Sequence, residues 1–120
     1  WGPGGIGGDA FVLSAKAGRL KFTLPRPGLY ELDSQSTLAE SEWLFVSVVY
    51  DGASLKLFIN GAEDASDTVA IDQVDSDQPV RIGFERIIIS DPGYLDGLVD
   101  DVRIYNRALS GAEIQQLYQP

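Results

Sequence analysis

The chain has 120 residues, 44% hydrophobic and 22% charged, which suits one domain with a genuine core. Its formal net charge is −9, a balance that repels phosphate backbones and anionic lipid, so nucleic acid and membrane surfaces are not expected partners. Histidine, cysteine and methionine are all absent, which removes disulfides, thiolate chemistry, the commonest general base and the commonest zinc ligand.

Residues 1–9 hold five of the glycines and a proline and read as a loop. A strand is predicted over 11–15, a turn at Lys16-Ala17-Gly18, and a second strand over 19–24, where Leu20, Phe22 and Leu24 alternate with Arg19, Lys21 and Thr23. Pro25-Arg26-Pro27-Gly28 ends it, 29–32 suggests a short strand, and 33–42 is polar enough to read as a loop. The strongest strand pattern is 43–50. It is apolar on both faces, with Trp43, Phe45 and Val49 on one and Leu44, Val46 and Val48 on the other, as befits a strand with cover on each side. Asp51-Gly52 marks a turn. Leu55, Leu57 and Ile59 then alternate with Lys56, Phe58 and Asn60, and Asn60-Gly61 is a two-residue hairpin signal. A return strand from Ala62 makes 43–69 an antiparallel meander. Further strands are predicted at 80–83, 85–90 and 98–105, separated by the acidic loop 72–78 and the turn Asp91-Pro92-Gly93.

One helix is expected near the C-terminus. Ser110-Gly111-Ala112-Glu113 has the spacing of a capping box, and Leu109, Ile114 and Leu117 supply an apolar side. Many short strands, regular turns and one terminal helix indicate an all-β fold, an antiparallel sandwich or jelly roll. No apolar run reaches the roughly 20 residues needed to cross a bilayer. A chain that starts at Trp1 with no signal-like segment reads as a processed, excised or recombinant piece.

Four stretches carry a resemblance: Trp43-Leu44-Phe45-Val46-Ser47-Val48-Val49-Tyr50-Asp51-Gly52, then Leu55-Lys56-Leu57-Phe58-Ile59-Asn60-Gly61, then Arg81-Ile82-Gly83, then Leu95-Asp96-Gly97-Leu98-Val99-Asp100-Asp101-Val102-Arg103-Ile104-Tyr105-Asn106-Arg107-Ala108-Leu109-Ser110 running on to Ile114. In this order they resemble the laminin-G-like domains of the concanavalin A-like jelly-roll family. The resemblance implies a single domain over 1–120 with Trp43 in the core. It also implies that the N-terminal strands of the domain are not in this chain, which matches the C-terminal two-thirds. Three explanations follow: an excised fragment, a nicked domain whose first part is a separate chain, or strands supplied by a neighbouring copy. A self-sufficient short variant is a fourth.

Alternation places Asp100 on the side of Val102 and Ile104, where a carboxylate facing a core needs a partner. The related glucanases close with a similar strand whose aspartate holds a structural calcium, so the resemblance makes Asp100 the candidate metal ligand and calcium the candidate cofactor. A carboxylate accepting backbone N–H groups at a sheet edge is the alternative. Asp72, Asp75 and Asp77, like Asp64 and Asp67, read as solvated acids, because their spacing is not that of a calcium loop. Tyr94, with Asp91 and Asp96 beside it on one loop, is the candidate rim for ligand binding, since sugar recognition uses an exposed aromatic with fixed polar neighbours. The paired carboxylates of the related glucanases have no counterpart on the strand 43–50, and the serines lack a histidine partner, so no catalytic residue is assigned and no enzyme is expected. The sequence therefore points to a non-catalytic, secreted or cell-surface module, bacterial in style, that recognises carbohydrate or a surface protein within a larger polypeptide. The alternative is an assembly module that completes its sandwich with a second chain and takes no small ligand.

Overall fold

A computed structural model describes residues 11–24, 30–70, 82, 84–85, 93–94 and 97–119. The chain order is β1 (Val12–Lys16), β2 (Arg19–Leu24), β3 (Tyr30–Thr37), β4 (Val46–Tyr50), β5 (Ser54–Ile59), β6 (Ala62–Thr68), β7 (Phe84–Glu85), β8 (Gly93–Tyr94) and α1 (Gly111–Tyr118). Strands β1-β2-β3 form one antiparallel sheet and β4-β5-β6 a second, each a meander, with tight turns between β1 and β2, β4 and β5, and β5 and β6. β7 and β8 pair as a two-stranded ladder. An antiparallel β-sandwich layout with one short C-terminal helix is what the pattern of short strands predicted.

Local chemistry explains the turns. Ala17 and Gly18 sit at φ 52° and 76°, and Asn60 and Gly61 at 52° and 81°. Two consecutive left-handed residues match the twist of the flanking strands. Glycine and asparagine accept that region cheaply, and alanine does not. Ala17→Asn is therefore expected to raise stability by about 0.5–1 kcal/mol, read from the urea midpoint at unchanged m-value.

Leu20, Phe22 and Leu24 of β2, Leu55 and Leu57 of β5, and Ala65 of β6 form one buried cluster that joins the two sheets, with Tyr30, Leu32, Val46, Val48 and Tyr50 packed around it. Leu55 and Leu57 are wholly buried. The opposite face of β2 is also covered at Thr23, 1% exposed, whose hydroxyl finds no hydrogen-bond partner among the described residues. An unpaired buried hydroxyl is costly, so the isosteric Thr23→Val is expected to stabilise the fold by about 1 kcal/mol in thermal or urea unfolding.

The two sheets meet along β3 and β6, and side chains make the seam. Between Arg19↔Thr37 and Lys21↔Asp33 the β2–β3 register jumps, so that Leu20 alone faces Ser34, Gln35 and Ser36. Between Leu57↔Ala65 and Phe58↔Glu63 the β5–β6 register also jumps, leaving Asp64 as an extra residue. The two bulges satisfy each other. The Leu20 N–H donates to Ser34 Oγ at 3.0 Å, and Ser34 Oγ donates to the Ser36 carbonyl at 2.7 Å. Arg19 Nη1 donates to the carbonyls of Ser34 and Gln35 at 2.8 and 2.7 Å. The backbone N–H groups of Gln35 and Ser36 donate to Asp64 at 2.6 and 3.3 Å. Further along, the Tyr30 hydroxyl donates to Asp67 at 2.6 Å.

Four expectations need correction. Residues 33–37 are strand, not loop, because Tyr30, Leu32 and Ser34 turn inward and the polar residues between them face out. The strand within 43–50 begins only at Val46 and is paired on one side alone among the described residues, so every residue of β4 is half-buried. Trp43, expected in the core, is 66% exposed. Residues 98–105 are not a strand, and every residue from 97 to 108 is exposed. In that run Asp101 lies at φ 54°, which breaks the alternation that would have turned Asp100 toward a core. The last three share one cause, cover: an apolar strand pattern becomes a buried strand only when a neighbour supplies hydrogen bonds and a packing layer. The acidic loop 72–78 and the predicted strand segments 86–90 lie outside the described residues, and of 80–83 only the exposed Ile82 is described.

Candidate functional site

An open concavity lies on the outer face of the second sheet, beside the start of α1. Leu55 and Leu57 point into the core, so alternation turns Ser54, Lys56 and Phe58 to the other side. There Phe58 is 5% exposed and Ile114 of α1 1%. The helix starts where the sequence predicts. Glu113 N–H donates to Ser110 Oγ at 3.1 Å, and Ser110 N–H donates to Glu113 Oε1 at 3.0 Å, closing the capping box. Arg107 grips the same carboxylate with both guanidinium nitrogens, at 3.0 and 2.6 Å. Those hydrogen bonds, the Arg107 pair first and the Ser110 N–H second, pull the Glu113 pKa down to about 2.

A groove of about 420 Å³ runs between this helix start and the β4–β5 hairpin, with Val49 and Phe58 at its apolar side and Asp51, Ser54, Lys56 and Glu113 at its polar side. Asp51 holds the hairpin turn. Its Oδ1 accepts from the N–H groups of Ser54 and Ala53 at 2.7 and 2.9 Å, which lowers its pKa, the Ser54 bond contributing most. Lys56 pairs with Glu63 at 3.4 Å. Both groove carboxylates are thus held ionised and already hydrogen-bonded. Such a groove offers fixed charge and hydrogen bonds.

The residues singled out in the sequence are placed as follows. Tyr94 is in β8, its Cα opposite that of Phe84. Asp91 and Asp96, its proposed companions, lie outside the described residues. Asp100 is exposed, and its Oδ1 accepts the Asp101 N–H at 2.8 Å, a local turn contact in place of the core-facing position expected for it. Among the described residues no three acids come together to hold a metal. Asp64 and Asp67, read as solvated, also accept hydrogen bonds at the seam on β6, Asp64 half-buried and Asp67 exposed. The grouping of Asp51, Lys56 and Glu113 was missed. Each had a visible signal, the Asp-Gly turn, the strand alternation and the capping box. Their convergence depends on which face of β5 the helix covers, and Gly61, with Tyr118 at 3.2 Å from its would-be Cβ, sets that docking.

A family model of the laminin G type, described as the concanavalin A-like lectin/glucanases superfamily, matches residues 3–115. The chain belongs to the concanavalin A-like lectin/glucanase superfamily. No curated protein matches this superfamily member significantly. Among solved structures it is similar to the crystal structure of an S-layer domain-containing protein, residues 221–444, from Clostridium thermocellum ATCC 27405, with 30% identity and a TM-score of 0.60. The match covers 91% of this concanavalin A-like chain and 56% of the other, so the chain spans little more than half of the solved relative.

Proposed function

We propose that the chain is a non-catalytic assembly module of an extracellular, cell-surface protein, which completes its sandwich with strands from outside the described residues. The observation that carries this reading is the uncovered apolar surface. Leu98 is 81% exposed, Val99 48%, Val102 53%, Ile104 68% and Tyr105 46%, with Trp43 at 66%. Scattered exposed apolar residues are ordinary, but five within eight consecutive positions mark a surface built to be covered. Burying each side chain is worth about 1.5–3 kcal/mol. The test is size-exclusion chromatography with light scattering on the isolated 120-residue chain, together with binding of a hydrophobic dye. Self-association or strong dye binding is expected. A dye-silent monomer would sink the proposal.

Recognition of a glycan or a surface protein is the second reading, favoured by the similarity to a protein whose name places it in a surface layer. Tyr94, Asp91 and Asp96 are its rim candidates, and Asp100 its calcium candidate. A glycan array probed with and without calcium, and calorimetry of calcium binding to the protein and to Asp100→Asn, test it. Silence in both removes this reading.

A further inference from the structure

The chain has two asparagines, and they precede very different residues: Asn60 stands before Gly61 and Asn106 before Arg107. We infer that Asn60 is a site of spontaneous deamidation, gated by the corner where the β5–β6 turn meets α1, so that it is modified only when this corner opens.

The chemistry is intramolecular. The Gly61 backbone nitrogen, after losing its proton to solvent base, attacks the Asn60 Cγ. The new C–N bond closes a succinimide ring, and Nδ2 takes up a proton and leaves as ammonia. Water then opens the ring at either carbonyl. One product is aspartate. In the other, isoaspartate, the main chain runs through the former side chain. Water is consumed and ammonia released, with no oxidant and no enzyme. Glycine carries no Cβ, so at position 61 it leaves the attacking nitrogen unshielded. Arg107 shields the same atom beside Asn106, although Asn106 is exposed and Asn60 half-buried.

The folded backbone withholds this reaction. Asn60 and Gly61 are left-handed, at φ 52° and 81°, as a two-residue hairpin needs. In the left-handed conformation the next nitrogen lies nearly opposite Cβ, on the far side from where the ring must close. The carboxamide is held as well. Its Oδ1 accepts the Phe45 N–H at 3.0 Å, and the Asn60 N–H donates to the Phe45 carbonyl at 2.7 Å. Gly61 lies against Tyr118, whose Cδ2 is 3.2 Å from its would-be Cβ and whose ring stacks on Phe45. Ring closure requires these contacts to release together, which is a local opening of the corner.

The two products treat the hairpin differently. Aspartate tolerates the left-handed region, and its carboxylate can take the Phe45 N–H as the amide oxygen does. Isoaspartate adds a main-chain carbon to a turn closed by the Ile59↔Ala62 pair, so that pairing no longer matches. Opening is reversible until isoaspartate forms and one-way afterwards.

Peptide mapping by mass spectrometry tests this on the 120-residue chain, held at mildly alkaline pH either folded or in guanidinium chloride. In denaturant the amide-to-acid mass change is expected at Asn60 well ahead of Asn106, and Gly61→Ala should slow it several-fold. In the folded protein Asn60 should react about 100-fold more slowly, because the rate follows the open population. Tyr118→Ala, which lifts the ring from Gly61, should recover about 10-fold of that without denaturant. On refolding, isoaspartate is expected only in the protease-sensitive fraction. No mass change at Asn60 in denaturant would remove the site. Equal rates in the two conditions, or a folded rate indifferent to Tyr118→Ala, would remove the gate and overturn the inference. Isoaspartate in the protease-resistant fraction would overturn the one-way step.

Discussion

Gly61→Ala is expected to destabilise the protein by about 2–3 kcal/mol, more than an exposed turn residue would ordinarily cost. Two separate penalties meet at this position. Gly61 sits at φ 81°, so any side chain there meets its own backbone, at about 1–2 kcal/mol. A Cβ would also stand 3.2 Å from Tyr118 Cδ2, 3.3 Å from Tyr118 Cβ and 3.5 Å from the Gln115 Cα. Tyr118 cannot simply swing clear, because its ring stacks on Phe45 at 6.1 Å with 16° between the planes, and its Cβ is fixed to the helix. Asn60 ties the same corner to the sheet, its N–H donating to the Phe45 carbonyl at 2.7 Å and its Oδ1 accepting from the Phe45 N–H at 3.0 Å. A double-mutant cycle isolates the ring's share. Tyr118→Ala in the Gly61→Ala background should recover the part of the steric penalty that the ring contributes, and leave the backbone penalty together with the 3.3 Å contact to the remaining β-carbon. If urea unfolding shows a loss under about 0.5 kcal/mol for Gly61→Ala, then α1 does not dock on the β5–β6 hairpin as described.

That corner also shows what a sequence reveals and what it withholds. The Asn60-Gly61 hairpin, the alternation of Leu55 and Leu57, and the capping box of Ser110 and Glu113 were legible because each is a local rule, settled within four residues. The 33–37 part of β3 was not legible, because its polar residues are held by partners on other strands: Lys21 pairs with Asp33 at 3.1 Å, and Asp64 takes the N–H groups of Gln35 and Ser36. The error at Trp43 and at 98–105 has the opposite sign. There the local pattern is that of a covered strand, and among the described residues nothing covers it. Of the candidate site, the sequence supplied the turn and cap that frame the groove, but the face on which they meet is a tertiary fact. Asp100 followed from counting alternate residues through Asp101, whose left-handed backbone resets the count.

Asp64 is where the largest consequence of that hidden tertiary chemistry should be measured. Asp64→Ala is expected to cost about 1–2 kcal/mol, because it strips a charge-assisted acceptor from two backbone N–H groups of the β3 bulge. β3 and β6 share no backbone hydrogen bond among the described residues, so side chains alone hold the seam there. Burial pushes the Asp64 carboxyl up, but the Ser36 side chain and the N–H groups of Gln35 and Ser36 outweigh it, and its pKa ends below the ordinary value of 3.8. A carboxyl depressed in the folded state lends stability above its unfolded pKa and loses it as pH falls through the folded one. The acid limb of stability should therefore fall below about pH 4, and it should flatten in Asp64→Asn, which keeps the shape and one acceptor. The Tyr30–Asp67 contact titrates in the other direction. Burial first, and the hydrogen bond to Asp67 second, raise the Tyr30 pKa above its ordinary value of 10.0. Its contribution is complete below about pH 10 and fades above it, as the unfolded tyrosine ionises and the folded one resists. Tyr30→Phe should remove that alkaline loss and leave the acid limb alone, while Asp64→Asn should shrink the acid limb, to which Asp51 and Glu113 also contribute, and leave the alkaline one. If both variants keep the wild-type profile at both ends, the two sheets are joined by the shared core of Leu20, Phe22, Leu55 and Leu57, and the carboxylate seam contributes nothing measurable.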